Sequence, residues 1–161
     1  MEIRKTRYSD LPILLEIYSI SRKFMADSGN PNQWINGYPT IELLTRDIDN
    51  GFSYVSIIDD QIVGTFCFIE GIEPTYSVIK GGNWLNDLPY GVVHRITTTA
   101  KNRGIASLCL DWCLKKCKNL RIDTHRDNIP MQKTLEKNGY IYCGIIKWED
   151  GSERIAFQKV I

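Results

Sequence analysis

Hydrophobic and polar positions change their period several times along this chain, and each change marks an element. Ile3-Arg4-Lys5-Thr6 predicts a short strand. Leu11, Leu14, Leu15, Ile17 and Tyr18 then recur at helical spacing behind Pro12. A helix is expected from Leu11 to about Ala26, capped by Ser9 or Asp10 and broken by Asp27-Ser28-Gly29-Asn30-Pro31-Asn32. Thr40 is placed to cap a second helix, Ile41 to Ile48, which Asp49-Asn50-Gly51 stops. Ser53 to Ile58 and Gln61 to Glu70 read as two strands of a hairpin turning at Asp59-Asp60.

Residues 71 to 89 show no period and are rich in Gly, Pro and Asn, with Tyr76 and Trp84 embedded. Beyond them the pattern predicts a strand (Val92 to Thr98), a glycine turn, a helix (Ile105 to about Lys118) and a strand (Leu120 to Thr124). A helix from Pro130 to Asn138 closes at Gly139. Tyr140 to Trp148 and Ile155 to Val160 form a last hairpin around Glu149-Asp150-Gly151-Ser152. The order is α/β, with helices interrupting a mixed, mainly antiparallel sheet. No repeat, linker or low-complexity stretch divides the chain, and 161 residues suit one domain, 1–161.

The turn Thr99-Ala100-Lys101-Asn102-Arg103-Gly104-Ile105-Ala106-Ser107 carries the most chemistry. A strand ending in a basic, glycine-containing turn that launches a helix offers N–H groups and the positive end of the helix dipole to an anion such as a pyrophosphate. Gly104 admits a close approach, Ala106 keeps the first turn narrow, and Lys101 and Arg103 add cationic reach. Read alone, the same turn serves equally as an ordinary strand-to-helix connection.

Composition narrows the field by exclusion. A net charge of +1 argues against a broad basic surface for nucleic acid. No apolar run is long enough to span a bilayer, and Met1-Glu2-Ile3-Arg4-Lys5 lacks the apolar core of an export signal, so a cytoplasmic protein is expected. Among the five cysteines, Cys109, Cys113 and Cys117 recur every fourth residue. With Ala106, Leu110 and Leu114 they make a buried helix face rather than a zinc site, and no metal is expected.

Lys101-x-x-Gly104-x-Ala106 resembles the Q/R-x-x-G-x-G/A signature of the GCN5-related N-acetyltransferases, the GNAT superfamily. Asp123-Thr124-His125-Arg126-Asp127-Asn128, leading through Met131 to Gly139-Tyr140, resembles that superfamily's second block, and the two stand in its order and spacing. The N-terminal strand and Gly64 extend the likeness more loosely. The resemblance implies a sheet whose two central strands splay around acetyl-CoA. Its pantetheine arm would pair with the backbone of Ile96, Thr97 and Thr98. Its pyrophosphate would lie on Lys101, Asn102, Arg103, Gly104, Ile105, Ala106 and Ser107, and Asn128 would hold the arm or a water unless it merely caps a helix. The same backbone would polarise the thioester carbonyl.

The activity implied is direct acetyl transfer from acetyl-CoA to a primary amine of a small molecule or protein, with no covalent enzyme intermediate. A non-catalytic CoA-binding module of the same fold is the alternative. An amine near pKa 10 must lose a proton, and Glu70, His125 and His94, in that order, are the bases that position and polarity suggest. Where many members place a thiolate-protonating tyrosine, this chain has Leu135. Trp34, Tyr38 and Trp84, with Phe24, Asn30, Gln33 and Tyr76 nearby in the pattern, are expected to shape the acceptor side, although Trp34 and Tyr38 serve equally to cap the core. The last hairpin could pair across a homodimer.

Overall fold

The structure is a computed structural model and describes residues 1–99 and 104–161. Its seven strands are β1 (Glu2–Lys5), β2 (Ser53–Ile58), β3 (Gln61–Glu70), β4 (Gly91–Thr98), β5 (Asn119–Thr124), β6 (Ile141–Lys147) and β7 (Glu153–Val160). They lie in the sheet order β1-β2-β3-β4-β5-β7-β6. The ladders β1–β2, β2–β3, β5–β7 and β6–β7 are antiparallel, whereas β4–β5 is parallel and pairs Gly91, Val92 and Val93 with Leu120, Arg121 and Ile122. The mixed, mainly antiparallel α/β sheet expected from the pattern is the one observed. Its helices are α1 (Leu11–Asp27), α2 (Ile41–Asp49), α3 (Ile105–Cys117) and α4 (Ile129–Lys137).

Local chemistry sets the boundaries. Asp59 and Asp60 both take positive φ (49° and 58°), as a tight two-residue hairpin turn requires, and so fix the β2–β3 register. Thr40 accepts from the N–H of Leu43 at 3.3 Å and starts α2 as expected. One cap differs. Asp10 precedes α1, but its carboxylate accepts from the Arg4 guanidinium at 2.7 Å and the Arg7 N–H at 2.8 Å, so it ties β1 to the turn and accepts no N–H of the α1 start. Two charge-assisted bonds from Arg4, one to each carboxylate oxygen, outcompete a single cap bond to a helix N–H.

Two compact units emerge, Met1–Phe68 with His94–Cys109, and Ile69–Val93 with Leu110–Ile161. In the first, Leu14, Tyr18, Leu44 and Val55 form a buried cluster against which Leu11, Trp34, Ile57 and Ile62 pack. In the second, Tyr76, Val92, Ile146 and Ala156 form another, covered by Ile79, Trp84, Tyr90 and Trp148. The segment between β3 and β4 is therefore not a bare loop. It contains a 3-10 turn, Pro74–Tyr76, whose tyrosine is fully buried and donates its hydroxyl to Asp123 Oδ1 at 2.7 Å. Of the cysteines, Cys67, Cys109, Cys113 and Cys143 are buried, and the α3 stripe packs inward with Leu110 and Leu114.

Candidate active site

In the first unit the strand β4 bends at Arg95, which takes φ 53°, a left-handed conformation that a bulky residue adopts only when its surroundings hold it there. Here they do. The guanidinium reaches Asp47 Oδ2 on α2 at 2.6 Å and the Tyr38 hydroxyl at 3.2 Å, while the Arg95 carbonyl accepts from the Tyr18 hydroxyl at 3.0 Å. Both charged side chains are 8% exposed. Burial also pushes the neighbouring Cys67 thiol up to about 12, so it stays protonated beside the pair. Only two sequence signals bear on this cluster: an arginine in the middle of a strand, and an aspartate three residues after a core leucine on α2.

Ile96, Thr97 and Thr98 follow the bend half-buried, and the Thr97 hydroxyl is hydrogen-bonded to that of Ser21. On β3, a Cβ at Gly64 would stand 2.7 Å from Ser56 Oγ and 3.0 Å from the Thr97 carbonyl, so only glycine lets this backbone run beside Thr97. Thr99 donates its N–H to the Val63 carbonyl at 2.8 Å. Lys101, Asn102 and Arg103 lie outside the described residues. Gly104 then takes φ 86°, and no described atom stands within 4 Å of where its Cβ would be. From it α3 starts, with Ile105 buried, Ala106 and Ser107 half-buried, and the Leu108 N–H closing the first turn on the Gly104 carbonyl at 3.2 Å. An open glycine at the positive end of a helix dipole is the cradle a phosphate-bearing group needs, and these residues fit one.

The second unit holds the other sequence block. Asn128 is the N-cap of α4, its Oδ1 accepting from the Met131 N–H at 3.2 Å. His125 Nδ1 accepts from the Asp127 N–H at 3.2 Å, which leaves the ring proton of the neutral imidazole on Nε2. Burial, then Arg154, lower its pKa, and Asp127 opposes them. Gln132 closes the turn by donating to the carbonyls of Arg126 (2.7 Å) and His125 (3.3 Å). Leu135, at the position of the usual tyrosine, is wholly buried, and the nearby Tyr140 is 5% exposed with a buried hydroxyl.

The other expected site residues separate. Glu70 is an exposed strand end, and the N–H after it bonds to the Tyr90 carbonyl at 3.2 Å, beside the start of β4 and not the Ile96–Thr98 end. His94 is buried on β4 immediately before the bend. Trp34 packs edge-on against Tyr18, ring centroids 5.5 Å apart, and Tyr38 is held by Arg95. Trp84 belongs to the core of the second unit: its Nε1 donates to the Tyr76 carbonyl at 3.0 Å, and the Arg121 guanidinium lies 4.3 Å from its ring. Its indole is thus engaged on both its polar edge and its face.

Comparison with solved structures settles the family. A GNAT-family acetyltransferase from Streptococcus agalactiae is 32% identical, with a TM-score of 0.91 over 99% of this chain and 95% of that one. The chain belongs to the GNAT family of acetyltransferases. The same fold, at identities that show the fold alone, recurs in a ribosomal-protein-alanine N-acetyltransferase from Brucella melitensis (18% identity, TM-score 0.66, 100% of both chains). It recurs also in Naa50 of Arabidopsis thaliana, solved with the bisubstrate analogue CoA-Ac-MVNAL (14%, TM-score 0.64, 99% and 98%). No family model and no curated protein matches the GNAT chain by sequence. Among the described residues no helix is long and apolar enough to cross a membrane.

Proposed function

We propose that residues 1–161 form a single acetyl-CoA-dependent N-acetyltransferase domain acting on a primary amine in the cytoplasm. The observation that carries this reading is Gly104, left-handed at the start of α3 with no described atom within 4 Å of its Cβ position, on the α3 side of the connection from the strand bent at Arg95. Acetyl-CoA supplies an activated acetyl group as a thioester. The main chain of Ile96, Thr97 and Thr98 orients the arm that bears it, and the Gly104–Ser107 turn binds the pyrophosphate, with Lys101, Asn102 and Arg103 adding to it. The Arg95–Asp47 pair holds the bend, so the N–H groups after it are pre-aimed rather than ordered on binding.

For the proton of the incoming amine we propose His94, because it lies on β4 itself. Glu70 sits by the other end of that strand, and the free lone pair of His125 is already engaged by Asp127. Asn128 serves α4 as its N-cap, and the cofactor arm is held mainly by other groups. Trp34 and Tyr38 border the acceptor side, while Trp84 does not.

One observation favours the alternative of a CoA-binding module without turnover: Leu135 is buried in α4, so no side chain there protonates a departing thiolate. An amine panel read by thiol release separates the two. Release with any amine, lost in the pH–rate profile of His94→Gln and kept in Glu70→Gln, supports the enzyme and its base. CoA binding without release across the panel supports the module.

A further inference from the structure

The second unit carries a groove that the acetyl-transfer reading does not use. Strand β6 ends the sheet order and has a ladder partner, β7, on one side. On its other side the 71–89 segment touches it at one bridge: Lys80 and Ile145 exchange N–H···O bonds of 2.9 and 2.8 Å. Glycines press that bridge tight. A Cβ at Gly82 would stand 2.1 Å from the Cys143 carbonyl oxygen, and one at Gly144 would stand 2.6 Å from that of Lys80.

Antiparallel register then sets Val78 opposite Lys147, yet no bridge forms there. The 3-10 turn Pro74–Tyr76, anchored by the buried Tyr76 on Asp123, pulls the segment away. The gap is a groove of about 460 Å³ lined by Pro74, Thr75, Val78, Ile145, Lys147 and Glu153 among others. Outward- and inward-facing backbone groups alternate along an antiparallel strand, so the N–H and C=O of Lys147 point the same way as those of Ile145, away from β7 and into the groove.

Its charge is one-sided. Glu153 is taken by Arg126 at 3.0 Å, while the Lys80 and Lys147 ammonium groups have no ion-pair partner among the described residues. Val78, 64% exposed, supplies an apolar wall. We propose that this groove docks an extended, acidic peptide segment, which continues the β6 edge beyond Lys80, bonds to the Lys147 main chain and sets its carboxylates against Lys80 and Lys147. The proposal does not depend on the transferase reading.

The probe is a labelled pentapeptide, Glu-Val-Glu-Val-Glu, with its Lys-Val-Lys-Val-Lys counterpart, followed by fluorescence anisotropy and amide NMR shifts. Binding of the acidic peptide alone, with shifts confined to residues 74–81 and 145–153, is expected. The pair Lys80→Glu and Lys147→Glu should weaken it at least tenfold and admit the basic peptide. Lys147→Thr removes a charge but keeps the N–H, whereas Lys147→Pro removes both without touching the β7 ladder, so the proline variant should lose more affinity. Equal binding of the two peptides, or affinity unchanged by the double reversal, overturns the proposal. So does self-association of the reversed variant, which would make the lysines guards of an open edge instead.

Discussion

Two strand-to-helix turns of this protein, from β4 into α3 and from β5 into α4, differ in what they have left to give. The turn from β5 into α4 is dense with chemistry-bearing residues, yet these bond to one another: Asn128 to Met131, His125 to Asp127, Gln132 to two carbonyls of the turn. The turn from β4 into α3 shows, in its described part, a left-handed glycine with no described atom within 4 Å of its Cβ position. A polar residue is valuable to a ligand only if the fold has not already used it, and backbone freedom can matter more than side-chain repertoire. The comparison predicts that substitutions in the first turn change stability, and substitutions in the second change CoA binding.

The largest effect is expected from Gly104→Glu. A carboxylate within about 4 Å of a phosphate costs up to roughly 4 kcal/mol at an effective dielectric near 20, so titration calorimetry should show CoA affinity falling by roughly a hundredfold or more. Glutamate is also strained at φ 86°. Gly104→Asn removes that ambiguity, since asparagine tolerates the left-handed region. It should weaken CoA by roughly tenfold, about 1.4 kcal/mol, with the melting temperature held. Native affinity in the asparagine variant would mean that the glycine serves the backbone alone.

Most of the fold was legible because its signals are local. The Asp59-Asp60 turn, the Thr40 cap and the period-two strands each predict one conformation, and β2 and β3 fall on their expected bounds. What was not legible depends on distant partners. Nothing near Asp10 says that Arg4 will claim its carboxylate, and nothing near Tyr76 says that Asp123 waits for its hydroxyl. The candidate site divides the same way. Gly104 announces itself by its place between a strand and a helix, whereas the Arg95–Asp47 pair joins residues 48 apart and appears only once α2 meets β4.

A smaller effect separates the turns from the other side. Asn128→Ala removes the α4 cap and should cost about 1 kcal/mol in denaturant unfolding. CoA affinity should stay within about twofold of the parent. A loss of affinity as large as that of Gly104→Asn would return Asn128 to the cofactor and erase the contrast between the turns.

The smallest effect is a pH dependence. Burial and the Arg154 and Arg126 charges hold the His125 pKa below its ordinary value near 6.5, against the pull of Asp127. Between that value and the lowered one, the unfolded chain binds the extra proton and the folded chain does not. Stability is therefore present above about pH 6.5 and is lost as the pH falls through the folded value. His125→Asn should flatten that slope, so the parent's melting temperature drops further than the variant's between about pH 7.5 and 5.5. Turnover should keep the same pH dependence in both, because a histidine whose lone pair is bound to its own turn takes no proton from substrate. A pH–rate profile that loses its limb in His125→Asn, with the stability slope unchanged, would show that Nδ1 leaves Asp127 during catalysis, and the turn judged self-satisfied would be the working one.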